Sequence, residues 1–131
     1  MSPELIAQIP GAAELAAWFG RFPRFHDSNV YDFTLKGDGS GHFRMDGWNM
    51  TSETDAKGYF ILEKHFTAVI AFTDATAVSF QDFLPGCAIL SDFRISQEAD
   101  GFKIEFDSSY GFTGWLKAAA IEVTFQPGKA A

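Results

Sequence analysis

The sequence is poor in cysteine and in basic residues, and it contains no long hydrophobic run. Cys87 is the only cysteine among 131 residues, so an internal disulfide, a cysteine-based metal cage and a CxxC redox pair are excluded. Only 10 basic residues stand against 17 acidic ones, giving a formal net charge of -7, which disfavours binding to nucleic-acid phosphates. No segment approaches the ~18 apolar residues of a membrane-spanning helix, and the first twenty residues lack the basic start of a secretory signal. The sequence therefore predicts a cytoplasmic protein that binds neither nucleic acid nor membranes.

Aromatic residues, by contrast, are abundant. The chain has 15 Phe, 3 Tyr and 3 Trp, and 47% of its residues are hydrophobic against 21% charged, which is the composition of a folded chain. Each large aromatic side chain buries roughly 150–250 Å², so one core can form without disulfides, and the length suits one domain. We predict a single domain over residues 1–131, with a helical N-terminal segment over residues 1–20 and a β body over residues 21–128.

The N-terminal segment has the periodicity of a helix. Leu15, Trp18 and Phe19 recur at spacings of three and four residues, as expected for one face of a helix, and Gly20 is typical of a helix end. The pattern predicts a helix over about residues 11–19 that packs on a sheet through these apolar side chains. The residues before it form either a second short helix or the first part of one kinked helix.

The rest of the chain mostly alternates apolar and polar residues, which is typical of β-strands. Residues 66–72 are apolar on both faces and predict a central strand, Gly47 predicts a β-bulge, and residues 98–101 predict a hairpin turn. Residues 51–58 and 74–85 are predicted to be connections. The predicted strands are residues 30–35, 43–50, 59–62, 66–72, 89–95, 102–106 and one or two segments within 112–125. The predicted fold is α+β, with a predominantly antiparallel β-sheet or sandwich of seven or eight short strands and an N-terminal helix region.

The densest group of polar residues lies in Phe-Pro-Arg-Phe-His-Asp-Ser, residues 22–28, where the helix passes into the first strand. Histidine side chains in general titrate near neutral pH and a carboxylate can orient them, so His26 and Asp27 are candidates for proton transfer or for contact with a partner. In the alternative interpretation, Asp27 or Ser28 accepts backbone hydrogen bonds in a turn and His26 fixes the entry to the strand. Adjacent side chains on an extended chain point to opposite faces, which disfavours a catalytic pair of His26 and Asp27.

No motif for metal, nucleotide or nucleophilic chemistry accompanies these residues. The histidines His26, His42 and His65 lack the close spacing of a prebuilt metal site. No serine lies in a Gly-x-Ser-x-Gly elbow, and the Gly-Asp-Gly-Ser-Gly stretch at residues 37–41 lacks the following lysine of a phosphate-binding loop. We therefore predict a protein that is not an enzyme and that requires neither a cofactor nor a metal.

Three further aromatic residues, Trp48, Tyr110 and Trp115, are weaker candidates for contact with a partner. Acidic residues such as Glu105 and Asp107 lie on or beside the late strands, opposite the Phe-bearing face, where a solvated surface is the default interpretation. Acidic residues beside exposed aromatics can also steer and then anchor a basic protein. The same aromatic segments can equally be turns whose rings cap the core.

The sequence FPRFHDSNVYDFTL, residues 22–35, resembles the N-terminal signature of the immunity protein 50 family, a Trp/Phe-x-Pro-Ser-Phe-His-Asp-Ala-Glu-like junction followed by an alternating strand. Residues 58–65 and residues 111–116 are similar to that family in order and spacing. The chain departs from the pattern at Arg24, where a small residue is usual, and at Ser28 and Asn29, where Ala-Glu is usual. The resemblance implies a bacterial cytoplasmic protein that blocks a cognate toxin by binding it, without catalysis.

Two functions of other classes stay open. A small β domain can hold an apolar ligand in a pocket lined by Phe and Trp, and this function requires a cavity that opens near His26. A hydrolase using His26 requires a distant carboxylate and an open cleft to converge on that histidine.

Overall fold

Two short helices open the chain in the computed structural model, which describes residues 1–84, 86, 88–108 and 111–129. They are α1 (Pro3–Gln8) and α2 (Ala12–Phe19). The predicted helix over about residues 11–19 is confirmed as α2, and Gly20 ends it with a φ of 102°, a conformation that glycine adopts without strain. The N-terminal region is nevertheless not one continuous helix, because Gly11 takes a φ of 85° between the two. Among the described residues, no helix combines the length and the apolar character that a membrane crossing requires.

Six β-strands follow within the described residues, and all their pairings are antiparallel. In chain order they are β1 (Val30–Leu35), β2 (Gly41–Thr54), β3 (Phe60–Phe83), β4 (Asp92–Glu98), β5 (Gly101–Asp107) and β6 (Phe112–Pro127). They form one sheet in the order β1-β2-β3-β6-β5-β4. The prediction of an α+β fold with a mostly antiparallel sheet is confirmed, whereas the predicted count of seven or eight short strands is wrong.

The count is wrong because β3 continues through two positions where the sequence predicts a break. Lys64 and Asp74 both have a φ of 53°, in the left-handed region that usually interrupts a strand. Bulges absorb the disturbance, since the pairing with β6 shifts register between Ala75 and Ala77 and then resumes. The predicted connection over residues 74–85 is therefore largely strand, and the predicted loop over residues 51–58 is shorter because β2 extends to Thr54.

Several local predictions are confirmed. The segment 66–72 belongs to β3, which lies between β2 and β6. The turn between β4 and β5 pairs Glu98 with Gly101. The register of β2 against β3 shifts between Gly47 and Asn49, as expected of a bulge. Gly47 is required there because a Cβ atom would lie 2.4 Å from the Phe66 ring.

The sheet is strongly curled, so that rings from distant strands meet inside it. The Phe43 ring on β2 lies 5.7 Å from that of Phe93 on β4 and 5.3 Å from that of Phe106 on β5, measured between centroids. Phe106 stacks in turn on Phe112 of β6 at 4.6 Å. The largest fully buried side chains are Phe43, Phe66, Phe72, Phe106, Phe112, Ile9, Leu15, Met45, Ile70, Leu90, Ile104 and Leu116. Many of the phenylalanines therefore form the core inside the curled sheet.

The curl brings the two edges of the sheet together immediately before β1 and before β4. The backbone N–H of Asp27 donates to the Leu90 carbonyl oxygen at 2.8 Å, and that of Leu90 donates to the Ser28 carbonyl oxygen at 2.9 Å. The backbone N–H of Val30 also donates to the Ala88 carbonyl oxygen at 2.8 Å. These bonds use backbone groups that an edge strand otherwise leaves unpaired, and they fix the segment that carries His26.

The helices pack against β6 and the beginning of β3. The Val123 N–H donates to the Pro10 carbonyl oxygen at 2.8 Å. The Trp18 ring lies 5.4 Å from the Phe125 ring and 5.9 Å from the Phe66 ring, as the predicted packing of α2 on a sheet requires. The chain leaving α2 is thus held near Phe66, and it leads directly into residues 21–28.

Candidate functional site

The segment before β1 is a tight turn with a strained backbone. Phe25 has a φ of 57° and Asp27 a φ of 63°, which is costly for residues with a Cβ atom. The Phe25 side chain is buried against Phe66 and Phe93, so tertiary packing and the backbone bonds to residues 88–90 hold the turn in place. The turn directs the His26 and Asp27 side chains to solvent, where 65% and 68% of their surfaces are exposed.

The turn overturns two expectations about this motif. His26 and Asp27 do not point to opposite faces, because Asp27 is left-handed rather than extended, and His26 Nε2 lies 3.7 Å from Asp27 Oδ2. Within the described residues, neither the Asp27 carboxylate nor the Ser28 hydroxyl accepts a hydrogen bond from a backbone N–H group. The turn is held instead by hydrogen bonds between backbone groups, from the Asp27 N–H to the Leu90 carbonyl oxygen and from the Leu90 N–H to the Ser28 carbonyl oxygen. His26 does anchor the entry to the strand, because its Nδ1 lies 2.9 Å from the Ser91 carbonyl oxygen.

His26, Asp27 and Trp48 line one surface groove, so three of the five candidate residues are brought together. The groove has a volume of about 360 Å³. Phe19 and Met50 contribute apolar surface to it. Trp48 reaches this position because the bulge after Gly47 places it half-buried beside the His65 ring, at 6.2 Å between centroids.

The same groove contains positive charge and a buried hydroxyl group. Arg21 and Arg24 line it; the Arg21 guanidinium donates to Asn49 Oδ1 at 3.1 Å and lies 5.1 Å from the Phe19 ring centroid. Ser28 also lines the groove, and its buried Oγ has no hydrogen-bond partner within the part of the chain that the structure describes. A buried hydroxyl group without a partner is uncommon and costly.

The outer end of the β2–β3 hairpin adjoins the groove and is apolar. We call Met50, Tyr59, Phe60, Ile61 and Leu62 the hairpin end. Met50 is 61% exposed, Tyr59 69% and Phe60 54%, and Met50 belongs to both surfaces because it also lines the groove. The hairpin end is ordered by pairing, with Met50 opposite Leu62 and the Thr51 hydroxyl donating to the Ile61 carbonyl oxygen at 2.8 Å.

A cluster of hydrogen bonds around Asp46 lies on the other side of Trp48. The Asp46 carboxylate accepts hydrogen bonds from the Asn29 backbone N–H at 2.7 Å and from the Tyr31 hydroxyl at 2.8 Å. Burial raises the pKa of the Tyr31 hydroxyl, and the hydrogen bond to Asp46 raises it further by a smaller amount. This cluster fixes the start of β1 on β2 and borders a second hollow of about 250 Å³, which Trp48 and Leu62 also line.

The remaining two candidate residues do not join the groove. Trp115 lies on β6, where the ammonium groups of Lys103 and Lys117 are 5.4 and 5.7 Å from its ring centroid. The neighbouring Glu105 is paired with Arg94 at 3.3 Å, so the surroundings of Trp115 are a mixed network of charges. Tyr110 lies outside the described residues.

The chemistry that the described residues can perform at this site is limited. They contain no group of three or more His, Cys, Asp and Glu residues arranged to hold a metal ion. His26 Nδ1 faces the Ser91 carbonyl oxygen, and His26 Nε2 faces the adjacent Asp27 carboxylate. Among the described residues, no carboxylate from another part of the chain lies within 4.0 Å of either nitrogen. Within the described residues, the convergence of His26 with a distant carboxylate that a hydrolase would require is therefore not formed.

Sequence reasoning missed the arginines and the hairpin end. Arg24 belongs to the motif and Arg21 immediately precedes it, but only the fold shows that both line the groove with Trp48. Residues 59–62 carried a signal, because four consecutive apolar residues break the alternation of a strand that is buried on one face. That signal favours either a strand buried on both faces or an exposed binding segment, and the structure shows exposure.

Comparisons of the chain with protein-family models, with curated proteins and with solved structures found no match. The resemblance of residues 22–35 to the immunity protein 50 family therefore stays a hypothesis.

Proposed function

We propose that this protein binds and neutralises a cognate bacterial toxin without catalysis, using the hairpin end and the adjacent groove as its binding surface. The observation that carries the proposal is the exposure of five apolar side chains in one ordered hairpin end. The resemblance of the segment around His26 to the immunity protein 50 family supplies the class of partner.

The β2–β3 hairpin alone does not bury the apolar side chains of the hairpin end. Successive residues of a strand face opposite sides, so the consecutive residues 60–62 present apolar surface on both faces of β3. Exposed apolar residues clustered in this way mark binding surfaces more often than isolated ones do. The end is also pre-organised, because Asp55 Oδ1 accepts the Lys57 and Tyr59 backbone N–H groups at 2.9 and 3.0 Å, which reduces the entropy lost on binding.

Acidic residues accompany the hairpin end. Glu53 and Asp55 lie at its tip, and Glu63 follows Leu62 on β3. Together with the formal net charge of -7, these carboxylates favour approach of a basic protein surface. The proposed interface is therefore an apolar centre whose border carries these three carboxylates beside Lys57 and Lys64.

The groove beside His26 is the one observation that favours the alternative, a β domain that binds a small apolar ligand. Its volume of about 360 Å³ is within the range of ligand pockets. Its lining by Arg21, Arg24 and Asp27 is poorly suited to a wholly apolar ligand, and the aromatic rings of the core pack on one another. Titration with an apolar dye, followed by Trp fluorescence, tests this alternative through saturable binding that Trp48→Ala abolishes.

The test of the proposed function begins with a search of the genes that adjoin the gene of this protein for a toxin, which is then purified. We expect excess protein to abolish the toxin's activity and to bind it in a one-to-one complex, measured by calorimetry. Phe60→Ser is expected to weaken binding at least about tenfold, the effect of losing one well-buried contact. Phe83→Ser is the matched control, because Phe83 is 64% exposed at the opposite end of β3. Toxin activity that persists at excess protein contradicts the proposal.

A further inference from the structure

The four arginines of the chain divide into two groups. Outside the groove, Arg44 pairs with Asp32 at 2.7 Å, and Arg94 pairs with Asp92 and Glu105. At the groove, neither Arg21 nor Arg24 lies within 4.0 Å of a carboxylate in the described part of the chain, and Arg24 also lines a neighbouring hollow together with Asp92 and Glu105. Within the described residues, these two guanidinium groups thus have no ionic partner, although the sequence contains 17 carboxylate side chains.

The partners that Arg21 does have are neutral. Its guanidinium contacts the Asn49 amide oxygen and the Phe19 ring, and these contacts hold it at the groove without neutralising it. Asp27 supplies the one carboxylate among the residues that line the groove, against the two guanidinium groups of Arg21 and Arg24. The formal charge of the groove is therefore positive, although the protein as a whole is negative. The Ser28 hydroxyl, which is buried and lacks a hydrogen-bond partner in the described structure, is a further polar group in the lining.

The groove also has an apolar part, which would lie beside an anion bound to the arginines. Phe19, Trp48 and Met50 form the apolar part of the groove, and Met50 continues into the hairpin end. An anion that enters here is therefore flanked by apolar surface on the side of the proposed interface. A polyanion is disfavoured by the net charge of -7, whereas one carboxylate matches the planar donors of a guanidinium group.

We propose that the groove receives an Asp or Glu side chain of the toxin, held by Arg21 and Arg24, while apolar toxin residues pack on Trp48 and the hairpin end. This inference rests on the proposed function and names the contact that fixes the orientation of the complex. The general negative charge steers a basic partner, and the local positive groove selects one acidic side chain on it.

The test uses the full chain and the purified toxin. Arg24→Glu is expected to raise the Kd at least about tenfold, whereas Lys36→Glu, which makes the same change of charge in the β1–β2 turn, is expected to leave it within about twofold. Arg24→Gln removes the charge without reversing it and should give an intermediate Kd. Thermal unfolding of the variants should match that of the wild type, because no ion pair is lost. Reversal of one toxin carboxylate to Lys should restore binding to the Arg24→Glu variant.

Failure of this inference is distinguishable from failure of the proposed function. If Arg24→Glu and Arg21→Glu bind the toxin as tightly as Lys36→Glu does, while Phe60→Ser weakens binding, the carboxylate contact is overturned and the toxin interface stands. The inference is also overturned if an oligonucleotide binds the wild type and only that binding is lost in Arg24→Glu. If the wild-type chain does not bind the toxin, both proposals fail.

Discussion

His26 Nδ1 lies 2.9 Å from the carbonyl oxygen of Ser91, across the junction between the two edges of the sheet. A carbonyl oxygen only accepts hydrogen bonds, so Nδ1 carries the proton and donates it. In the neutral ring Nε2 is then the acceptor, and it faces Asp27 and the groove. His26 therefore has a structural contact on one side of its ring and an exposed edge on the other.

The two roles of His26 are separable by substitution. We expect His26→Ala to lower the free energy of unfolding by about 1 kcal/mol, the net value of one hydrogen bond, as measured by urea denaturation. Asp27→Asn leaves the contact with Ser91 intact and should change stability by less than about 0.5 kcal/mol, since an exposed pair contributes little. Equal stability of the wild type and the His26→Ala variant would show that the contact with Ser91 does not anchor the turn.

The sequence predicts those parts of the fold that have local signals. Gly20 marks the end of α2, Gly47 marks the bulge in β2, and the segment around Gly101 marks the β4–β5 turn. The length of β3 has no such signal, because Lys64 and Asp74 adopt left-handed conformations that tertiary packing imposes on residues with a Cβ atom.

The same distinction holds for the site. The motif around His26 is visible in the sequence, but the groove depends on backbone bonds to residues 88–90, which are about sixty positions away along the chain. The position of Trp48 depends on the strand register after the bulge. Neither Arg21 nor Arg24 has an ionic partner among the residues that the structure describes, and composition gives no indication of this.

Acid stability should depend on Asp32. Burial alone raises the pKa of this carboxyl group, but hydrogen bonds from Arg44 and His42 outweigh burial and lower it below its usual value. A carboxyl group whose folded-state pKa is lowered adds stability above its unfolded pKa of about 3.9, and that stability is lost as the pH falls through the lower folded value.

The measurement is the free energy of unfolding of Asp32→Asn against that of the wild type between about pH 7 and pH 2. The variant should be less stable at neutral pH by up to about 1 kcal/mol, because the network is partly exposed, and the difference should shrink below about pH 4. Asp100→Asn is the matched control, because Asp100 forms no ion pair within the described residues. A difference that is independent of pH would contradict the role of the ionised Asp32.

Alkaline titration should reveal the cluster around Asp46. The pKa of Tyr31 is raised by burial and by the hydrogen bond that its hydroxyl donates to Asp46. The resulting stability is present below the unfolded pKa of about 10 and is lost as the pH rises through the raised folded value. The ultraviolet difference spectrum between the wild type and Tyr31→Phe should therefore show a late ionisation, and Asp46→Asn should shift it to lower pH. An unshifted ionisation in Asp46→Asn would contradict the hydrogen bond.

The close approach of α2 to β6 can be tested by comparing two glycines with the same kind of backbone. Gly11 and Gly20 both have positive φ, at 85° and 102°, so an alanine at either position costs about 1–2 kcal/mol for conformation alone. A Cβ atom at Gly11 would lie 1.7 Å from the Val123 carbonyl oxygen, whereas one at Gly20 meets nothing within 4 Å. Because α2 must move away from β6 to relieve the clash, Gly11→Ala should lose about 1–3 kcal/mol more stability than Gly20→Ala.

Thermal unfolding of both variants measures this difference in stability. Toxin binding by both variants then shows whether the position of α2 also affects the groove. A displaced α2 carries Phe19 and the following Arg21 with it, so the groove should change shape although no residue lining it has been substituted. We therefore expect Gly11→Ala to weaken binding more than Gly20→Ala when both are measured well below their unfolding temperatures. Equal stability and equal binding of the two variants would mean that the helix packing on Val123 does not position the groove.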